Sequence, residues 1–227
     1  MFQDRESAGY VLAARLEGYR ADPSALILAL PRGGVAVGYT MSLALRLPLD
    51  VFITRKLRAP ENPEYALGAL SETGNLFLNP EAVDYYAGTD LKSYMEEEIR
   101  IQKHEIARRQ QLYREGRPLP ELANRTVLLV DDGIATGATF LASVDALRKL
   151  GVKRLVAAIP VGPPETLWEV RRKVDELVVL SQPELFIAVG DHYMNFAQLE
   201  DSEVVEYLEA AEGALKEQGK SATEKCL

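Results

Sequence analysis

The chain has 227 residues, of which 47% are hydrophobic, and it carries a formal net charge of −8 at pH 7. This length and composition suit one folded domain with a sizeable core and exclude a largely disordered chain. The negative charge argues against a partner such as nucleic acid, whose many phosphates would have to be neutralised, but it is compatible with one local basic pocket for a phosphorylated small molecule.

The sequence gives little indication of a disulfide, a zinc site or a membrane-spanning segment. Cys226 is the one cysteine, so we interpret it as a free thiol on a frayed tail, with no disulfide within the chain and no cysteine cluster for a metal. His104 and His192 lie far apart in the sequence, which argues against a zinc site built on several histidines. The N-terminus lacks a signal-peptide core and no apolar run is long enough to span a membrane, so we predict a cytoplasmic protein with no membrane partner.

The beginning of the chain alternates between helix and strand patterns. Helical spacing predicts a helix over residues 7–19, and the fully apolar run 25–30 predicts a strand buried on both faces. The sequence PRGG at 31–34 ends this strand. A second helix is predicted over 35–47, and the β-branched and aromatic residues of 48–57 predict a second strand.

The next segment breaks this alternation. Residues 58–80 are rich in proline and asparagine, and they predict a hairpin that turns near residues 72–75. Residues 81–116 keep rough helical spacing, and their glutamates precede their arginines, an order that suits the helix dipole. We therefore interpret these charges as a solvated helix face, with a specific basic site around Arg108 and Arg109 as the alternative.

The strand–helix alternation then returns. In chain order the patterns predict a strand over 126–132, a helix over 138–151, a strand over 153–162, a helix over 164–176, a strand over 177–183, a short irregular element over 186–196 and a C-terminal helix from about Ser202. This order predicts an α/β fold in which helices cover both faces of a central parallel sheet. Ligands of such sheets bind at the carboxyl ends of the strands, which points to the loops after the first three strands.

The third of these loops belongs to the sequence VLLVDDGIATGAT at 127–139. Backbone N–H groups at the start of the following helix can bind one phosphate, and Gly137 allows close approach. The loop matches neither a Walker P-loop nor a dinucleotide fingerprint. Because two carboxylates would repel that phosphate, we assign Asp131 and Asp132 to the vicinal hydroxyls of a ribose. The predicted binding residues for a 5-phosphate are Ile134, Ala135, Thr136, Gly137, Ala138 and Thr139.

The stretch VLLVDDGIATGAT resembles the motif with which type I phosphoribosyltransferases bind 5-phosphoribosyl 1-diphosphate (PRPP). The resemblance implies that this chain transfers a 5-phosphoribosyl group from PRPP to a small-molecule acceptor, a nitrogenous base or an amine, and releases diphosphate. It also implies a Mg²⁺ cofactor carried on PRPP. Asp131 and Asp132 are then expected as catalytic residues and as the protein groups that could contact this ion.

The family's architecture divides the chain as follows. The resemblance implies a single phosphoribosyltransferase domain over 1–227, with a core at about 22–57 and 122–183. A flexible loop and a helical insertion are expected at about 58–121, and a C-terminal hood at about 184–210. The common small enzymes lack the insertion, so we interpret it as serving dimer contact or cover of the site, which leaves a homodimer open.

The family binds diphosphate with the loop after its first strand, where this chain has PRGG. Gly33 and Gly34 are expected to adopt a strained backbone that turns N–H groups toward the diphosphate, and Arg32 is expected to pair with its oxygens. The sequence FITRKLRAP resembles the start of the flexible loop in adenine and orotate phosphoribosyltransferases. That resemblance makes Arg55 and Lys56 further diphosphate-binding residues.

Two further segments carry looser resemblances. ALGALSETG resembles a hairpin of adenine phosphoribosyltransferases that carries a glutamate acid, and Glu72 takes that place as a third catalytic residue. The segment 183–196 resembles the hood that surrounds the nucleobase in the family. Phe186, Val189 and Tyr193 are therefore expected to bind the acceptor, with ordinary core packing as the alternative for each.

The sequence also departs from parts of the family. Ala135 and Ala138 stand where the 6-oxopurine enzymes have an acid and a lysine, so the resemblance is closer to the adenine, orotate and ComF-like branches. Two other functions stay open. A regulator could bind PRPP without catalysis, and a receiver-type phosphoacceptor would explain an acidic pair at a strand end. The receiver would also need a lysine after its last strand, which 177–183 lacks.

Overall fold

The fold is known from a computed structural model, which describes residues 1–60, 62–86 and 90–224, so Cys226 lies outside the described part. In chain order its elements are α1 (Arg5–Arg15), β1 (Ala25–Ala29), α2 (Gly33–Leu45), β2 (Leu49–Val51), β3 (Thr54–Ala59), β4 (Asn62–Ser71), β5 (Leu76–Leu78), α3 (Pro80–Tyr85), α4 (Leu91–Arg114), β6 (Thr126–Val130), α5 (Ala138–Lys149), β7 (Arg154–Val161), α6 (Pro164–Arg171), β8 (Glu176–Ser181) and α7 (Asp201–Glu224). None of these helices is long and apolar enough to cross a membrane.

A five-stranded parallel sheet with the order β2-β1-β6-β7-β8 forms the centre of the molecule. All residues of β1 and β6 are buried, because helices cover both faces. Leu26 and Leu28 point into the core beneath α5 and α6, whereas Ile27 points into the core beneath α1 and α2. This period-two alternation is that of a strand packed on both sides. The predicted α/β fold with a covered parallel sheet is confirmed.

The predicted single strand at 48–57 is wrong, because the chain changes sheets inside it. Strand β2 pairs in parallel with β1, and the chain leaves the central sheet after Val51. Strand β3 then pairs antiparallel with β4, and β4 with β5, in a separate three-stranded sheet. The predicted hairpin is confirmed as β4 and β5. Arg55 and Lys56 lie within β3 and do not open a flexible loop.

The helical segment 81–116 also differs from its prediction. Two helices, α3 and α4, replace the single one, and residues 87–89 between them lie outside the described part of the chain. The face of α4 that packs on the second sheet buries polar and charged side chains beside Ile106 and Tyr113, which corrects the interpretation of its charges as wholly solvated. The buried polar residues of α4 are Glu98, Gln102, Arg109 and Arg114. The predicted helix at 164–176 is shorter and ends at Arg171.

Candidate functional site

The acidic pair and the PRGG loop meet at the carboxyl ends of the neighbouring strands β1 and β6. A Cβ atom added to Gly33 would lie 1.8 Å from Asp132 Oδ2, and one added to Gly34 would lie 3.0 Å from Asp131 Cα. Only residues without a side chain allow this approach. The two motifs that the sequence places about a hundred residues apart therefore form one site.

Gly33 and Gly34 do not have the strained backbone that was expected of them. Gly33 begins helix α2, and neither glycine has a positive φ angle. The Gly34 N–H donates to the carbonyl oxygen of Leu30 at 3.1 Å, so it is engaged within the protein. The glycines are needed because a side chain would collide with the acidic pair. The Pro31–Arg32 peptide bond, just before them, is cis.

The two carboxylates are held in different ways. The Asp132 N–H donates to Asp131 Oδ1 at 2.9 Å, and Asp132 Oδ2 is ion-paired with Arg5 Nε at 2.7 Å. Burial, and then the charge of Asp132, raise the pKa of Asp131 well above its usual value. Burial also raises the pKa of Asp132, and Arg5 opposes that rise. Asp131 Oδ1 and Asp132 Oδ2 are thus the oxygens that accept hydrogen bonds from N–H donors, and the two carboxyl groups also interact with each other.

Arg5 is a site residue that the sequence analysis missed. It comes from the first turn of α1, and its NH1 group donates to the carbonyl oxygen of Ala197 at 2.8 Å. Its guanidinium carbon lies 3.8 Å from the centre of the Phe196 ring. A cation in the first turn of a helix is unfavourable because it lies at the positive end of the helix dipole. This unfavourable position is the one local sign in the sequence that Arg5 has an anionic partner elsewhere.

The start of α5 presents unengaged backbone N–H groups. Within the described residues, the N–H groups of 135–140 make no hydrogen bond, and Ala135 and Thr136 are exposed. Gly137 has a φ angle of +72°, and a Cβ atom there would lie 2.4 Å from Thr166 Cγ2. Ile134 is different from its neighbours. It is buried in the core, and its N–H donates to the carbonyl oxygen of Val161 at 2.9 Å, which removes it from the predicted phosphate-binding set.

The basic residues predicted for diphosphate binding lie in different environments. Arg32 precedes Gly33, and its NH1 atom lies 3.6 Å from Glu200 Oε2. Arg55 Nε donates to Gln102 Oε1 at 3.0 Å, so this side chain packs toward α4. Thr54 lies on the opposite face of β3, where its hydroxyl contacts Ser143 of α5 at 2.8 Å. Lys56 shares that face by strand alternation, whereas Arg55 does not.

Glu72 lies in a buried ion pair, which argues against its expected role as a catalytic acid. Its Oε1 and Oε2 atoms accept hydrogen bonds from Arg114 at 2.6 and 2.7 Å. It also accepts from the Ile53 N–H at 2.8 Å and from Gln110 at 3.0 Å. Its side chain is only 2% exposed, so both of its oxygens are engaged inside the protein. Glu72 ties the hairpin to α4 and to the end of β2.

The three residues predicted for the acceptor do not share one role. Tyr193 is buried, and its hydroxyl donates to the carbonyl oxygen of Asp132 at 2.5 Å, so it supports the acidic loop from within the core. Val189 covers Gly133, where a Cβ atom would lie 2.5 Å from its Cγ1. Phe186 is half-buried and stacks on His192 at 5.4 Å between ring centres. Val189 therefore lies beside the acidic loop, Phe186 packs on His192, and Tyr193 has a structural position.

The donor set at this site suits a magnesium ion that a substrate brings with it. Within the described part of the chain, no group of three histidine, cysteine, aspartate or glutamate side chains is arranged to hold a metal. Mg²⁺ commonly keeps several waters and binds through one or two carboxylates together with substrate phosphates. The carboxylates of Asp131 and Asp132 fit that pattern.

Comparisons with known proteins identify a matching family model, a sequence relative and a structural relative. The model of the phosphoribosyl transferase domain matches residues 12–193. A Mycobacterium tuberculosis protein named as a candidate phosphoribosyl transferase is 40% identical over 220 residues, which cover 96% of this chain and 49% of that protein. The crystal structure of the protein TT1426 from Thermus thermophilus is similar with a TM-score of 0.75 and 40% identity, over 92% of this chain and 97% of that one. The chain thus spans about half the length of the curated relatives that it matches.

Proposed function

Because the chain belongs to the phosphoribosyl transferase domain family, we propose that it binds PRPP with Mg²⁺ and transfers the 5-phosphoribosyl group to a nitrogenous base or amine. The observation that carries this proposal is the contact of Gly33 with Asp132, which joins the predicted diphosphate loop to the predicted ribose site. The small-molecule partners, the magnesium cofactor and the cytoplasmic location are predictions from the sequence, as are a homodimer and the absence of a nucleic-acid partner.

The sugar and its 5-phosphate would bind on either side of Gly133. Asp131 Oδ2 and Asp132 Oδ1 would accept hydrogen bonds from the ribose hydroxyls, since no N–H group of the described residues donates to either oxygen. The N–H groups of 135–139 and the positive end of α5 would bind the phosphate, with the Thr136 hydroxyl as a further donor. The division between carboxylates and N–H groups keeps the phosphate away from the two acids.

The transfer replaces one bond to the anomeric carbon by another. The bond from this carbon to the diphosphate oxygen breaks, and its electron pair leaves with the diphosphate. The lone pair of the acceptor nitrogen forms the new bond, and the proton on that nitrogen is released. Arg32 would contact the diphosphate, with Lys56 as a second cation from β3. Bound Mg²⁺ would supply further positive charge against the leaving group.

Diphosphate release tests the proposal directly. The protein is mixed with PRPP, Mg²⁺ and single acceptors from a panel of adenine, hypoxanthine, guanine, uracil and orotate, with a no-acceptor control. We expect release that depends on one acceptor and on Mg²⁺. Because Ala135 and Ala138 replace the acid and the lysine of the 6-oxopurine enzymes, we expect hypoxanthine and guanine to be poor acceptors.

Two other outcomes would change the assignment. PRPP binding without release on any acceptor would favour a regulator that senses PRPP. Absence of PRPP binding up to roughly millimolar concentration, a weak limit on the affinity scale, would reject both the transferase and the sensor. The Asp131→Asn variant serves as the matched control, because it keeps the size of the side chain and its acceptor for the Asp132 N–H.

A further inference from the structure

The side chain of Arg5 connects four segments that are distant in the sequence. Its Nε atom is ion-paired with Asp132 Oδ2 at 2.7 Å, and its NH1 group donates to the Ala197 carbonyl oxygen at 2.8 Å. A Cβ atom on Gly33 would lie 3.0 Å from the same Nε atom. The guanidinium lies over Phe196, and the whole side chain is only 10% exposed. Helix α1, the PRGG loop, the acidic pair and the segment before α7 therefore meet at this one group.

We propose that Arg5 is a positioning residue for the sugar-binding carboxylates. It would hold Asp132 through Oδ2 and so fix the position of Oδ1 for the ligand. This inference rests on the proposed binding of PRPP. It assigns a role in that site to the N-terminal helix, which lies outside the VLLVDDGIATGAT and PRGG motifs.

The surroundings explain why Asp132 needs such a support. Asp131 and Asp132 are adjacent carboxylates in a largely buried place, where like charges repel strongly because little water screens them. Arg5 brings a cation into direct contact with Asp132 of this pair. It offsets one of the two charges, which lowers the repulsion that the pair would exert on a ligand carrying a phosphate and a diphosphate.

The geometry of the contacts at this position requires an arginine. A guanidinium is planar, so it can donate from two nitrogens in its plane while one face stacks on an aromatic ring. Arg5 uses all of these contacts, with Asp132, with Ala197 and with Phe196. A lysine could keep the charge but would lose the second hydrogen bond or the stacking.

The test uses three variants of the full chain. Arg5→Gln removes the charge, and Arg5→Lys keeps it. Arg15→Gln removes an equal charge from the exposed end of the same helix, where the side chain makes one 3.4 Å contact to the Val179 carbonyl oxygen. Circular dichroism first sets a temperature at which every variant is folded, so that a loss of stability alone does not alter the ligand measurements.

The first readout needs no ligand. Amide hydrogen exchange is measured on 131–134 and on 194–195 in each variant, where the N–H groups of Asp132, Ile134, Met194 and Asn195 donate hydrogen bonds. We expect faster exchange in both segments for Arg5→Gln than for the wild type, and no change for Arg15→Gln. Unchanged exchange in both segments of Arg5→Gln would overturn the proposal, because Arg5 would then not hold the acidic loop.

The second readout is the Kd for PRPP with Mg²⁺, measured by calorimetry. We expect Arg5→Gln to raise Kd by roughly tenfold or more, as for the loss of a charge-assisted hydrogen bond. Arg5→Lys should lie between Arg5→Gln and the wild type, and Arg15→Gln should match the wild type. Equal Kd values for Arg5→Gln and the wild type would reject the role of Arg5 alone. A wild type that does not bind PRPP would reject the proposed function and this role with it.

Discussion

Replacing Arg114 by methionine is expected to lower the free energy of unfolding by about 3–5 kcal/mol, as for removal of one partner from a buried ion pair. Arg114 is 3% exposed and donates to Glu72, to Asp50 and to the carbonyl oxygen of Val51. Without it, Glu72 would be a buried carboxylate with no countercharge. Burial already raises the pKa of Asp50, and the charge of Arg114 is the largest influence that lowers it.

Urea unfolding at neutral pH measures this effect, with two comparisons. Arg100→Met on the exposed face of the same helix, where the arginine pairs with Glu97, should leave stability unchanged. A double variant with both Arg114 and Glu72 replaced by methionine should recover part of the loss, since no unpaired charge is buried. A small effect of Arg114→Met would mean that Glu72 is not held in the buried pair.

Replacing Gly33 by alanine is expected to weaken PRPP binding roughly ten- to a hundredfold, as for the loss of one hydrogen bond between a charged group and the ligand. The added Cβ atom would lie 1.8 Å from Asp132 Oδ2 and 2.5 Å from its Cγ, so the carboxylate or the start of α2 must move. Either movement separates the PRGG loop from the acidic pair. Overpacking should also cost about 1–3 kcal/mol of stability.

Gly18→Ala is the matched control for this substitution. Gly18 is exposed, has no atom within 4 Å of an added Cβ and does not have a positive φ angle. Calorimetric titration with PRPP should give the wild-type Kd for Gly18→Ala and the weakened Kd for Gly33→Ala. If both variants bind PRPP like the wild type, the contact between the PRGG loop and the acidic pair has no part in the site.

The central sheet could be predicted because its signals are local. Strands buried on both faces are continuous apolar runs, as 25–30 and 127–130 are, and the helices between them keep helical spacing. The change of sheet near Phe52 and Ile53 could not be predicted in this way. Both residues are fully buried and apolar, so the sequence there is suited to either sheet. The chain joins the second sheet because β3 pairs with β4, and this pairing depends on tertiary contacts that a local pattern does not contain.

The candidate site was predictable only where a motif is continuous in sequence. Gly33, Gly34, Asp131 and Asp132 lie in such motifs, and the structure brings these four together. The Arg5–Asp132 pair spans 127 positions, and no local pattern connects its members. Glu72 had the residue type and the loop position expected of an acid. Its engagement with Arg114, 42 positions away, depends on the packing of α4, which the sequence pattern did not indicate.

Calorimetric titration of PRPP into the wild type and into Asp131→Asn, with and without Mg²⁺, tests the central claim most directly. We predict one site per chain, tighter binding with Mg²⁺, and a loss in Asp131→Asn of about 1.5–3 kcal/mol, as for a hydrogen bond to a charged group. That loss corresponds to a Kd raised roughly ten- to a hundredfold. No binding to the wild type, or equal binding to Asp131→Asn, would contradict a ribose site on the acidic pair.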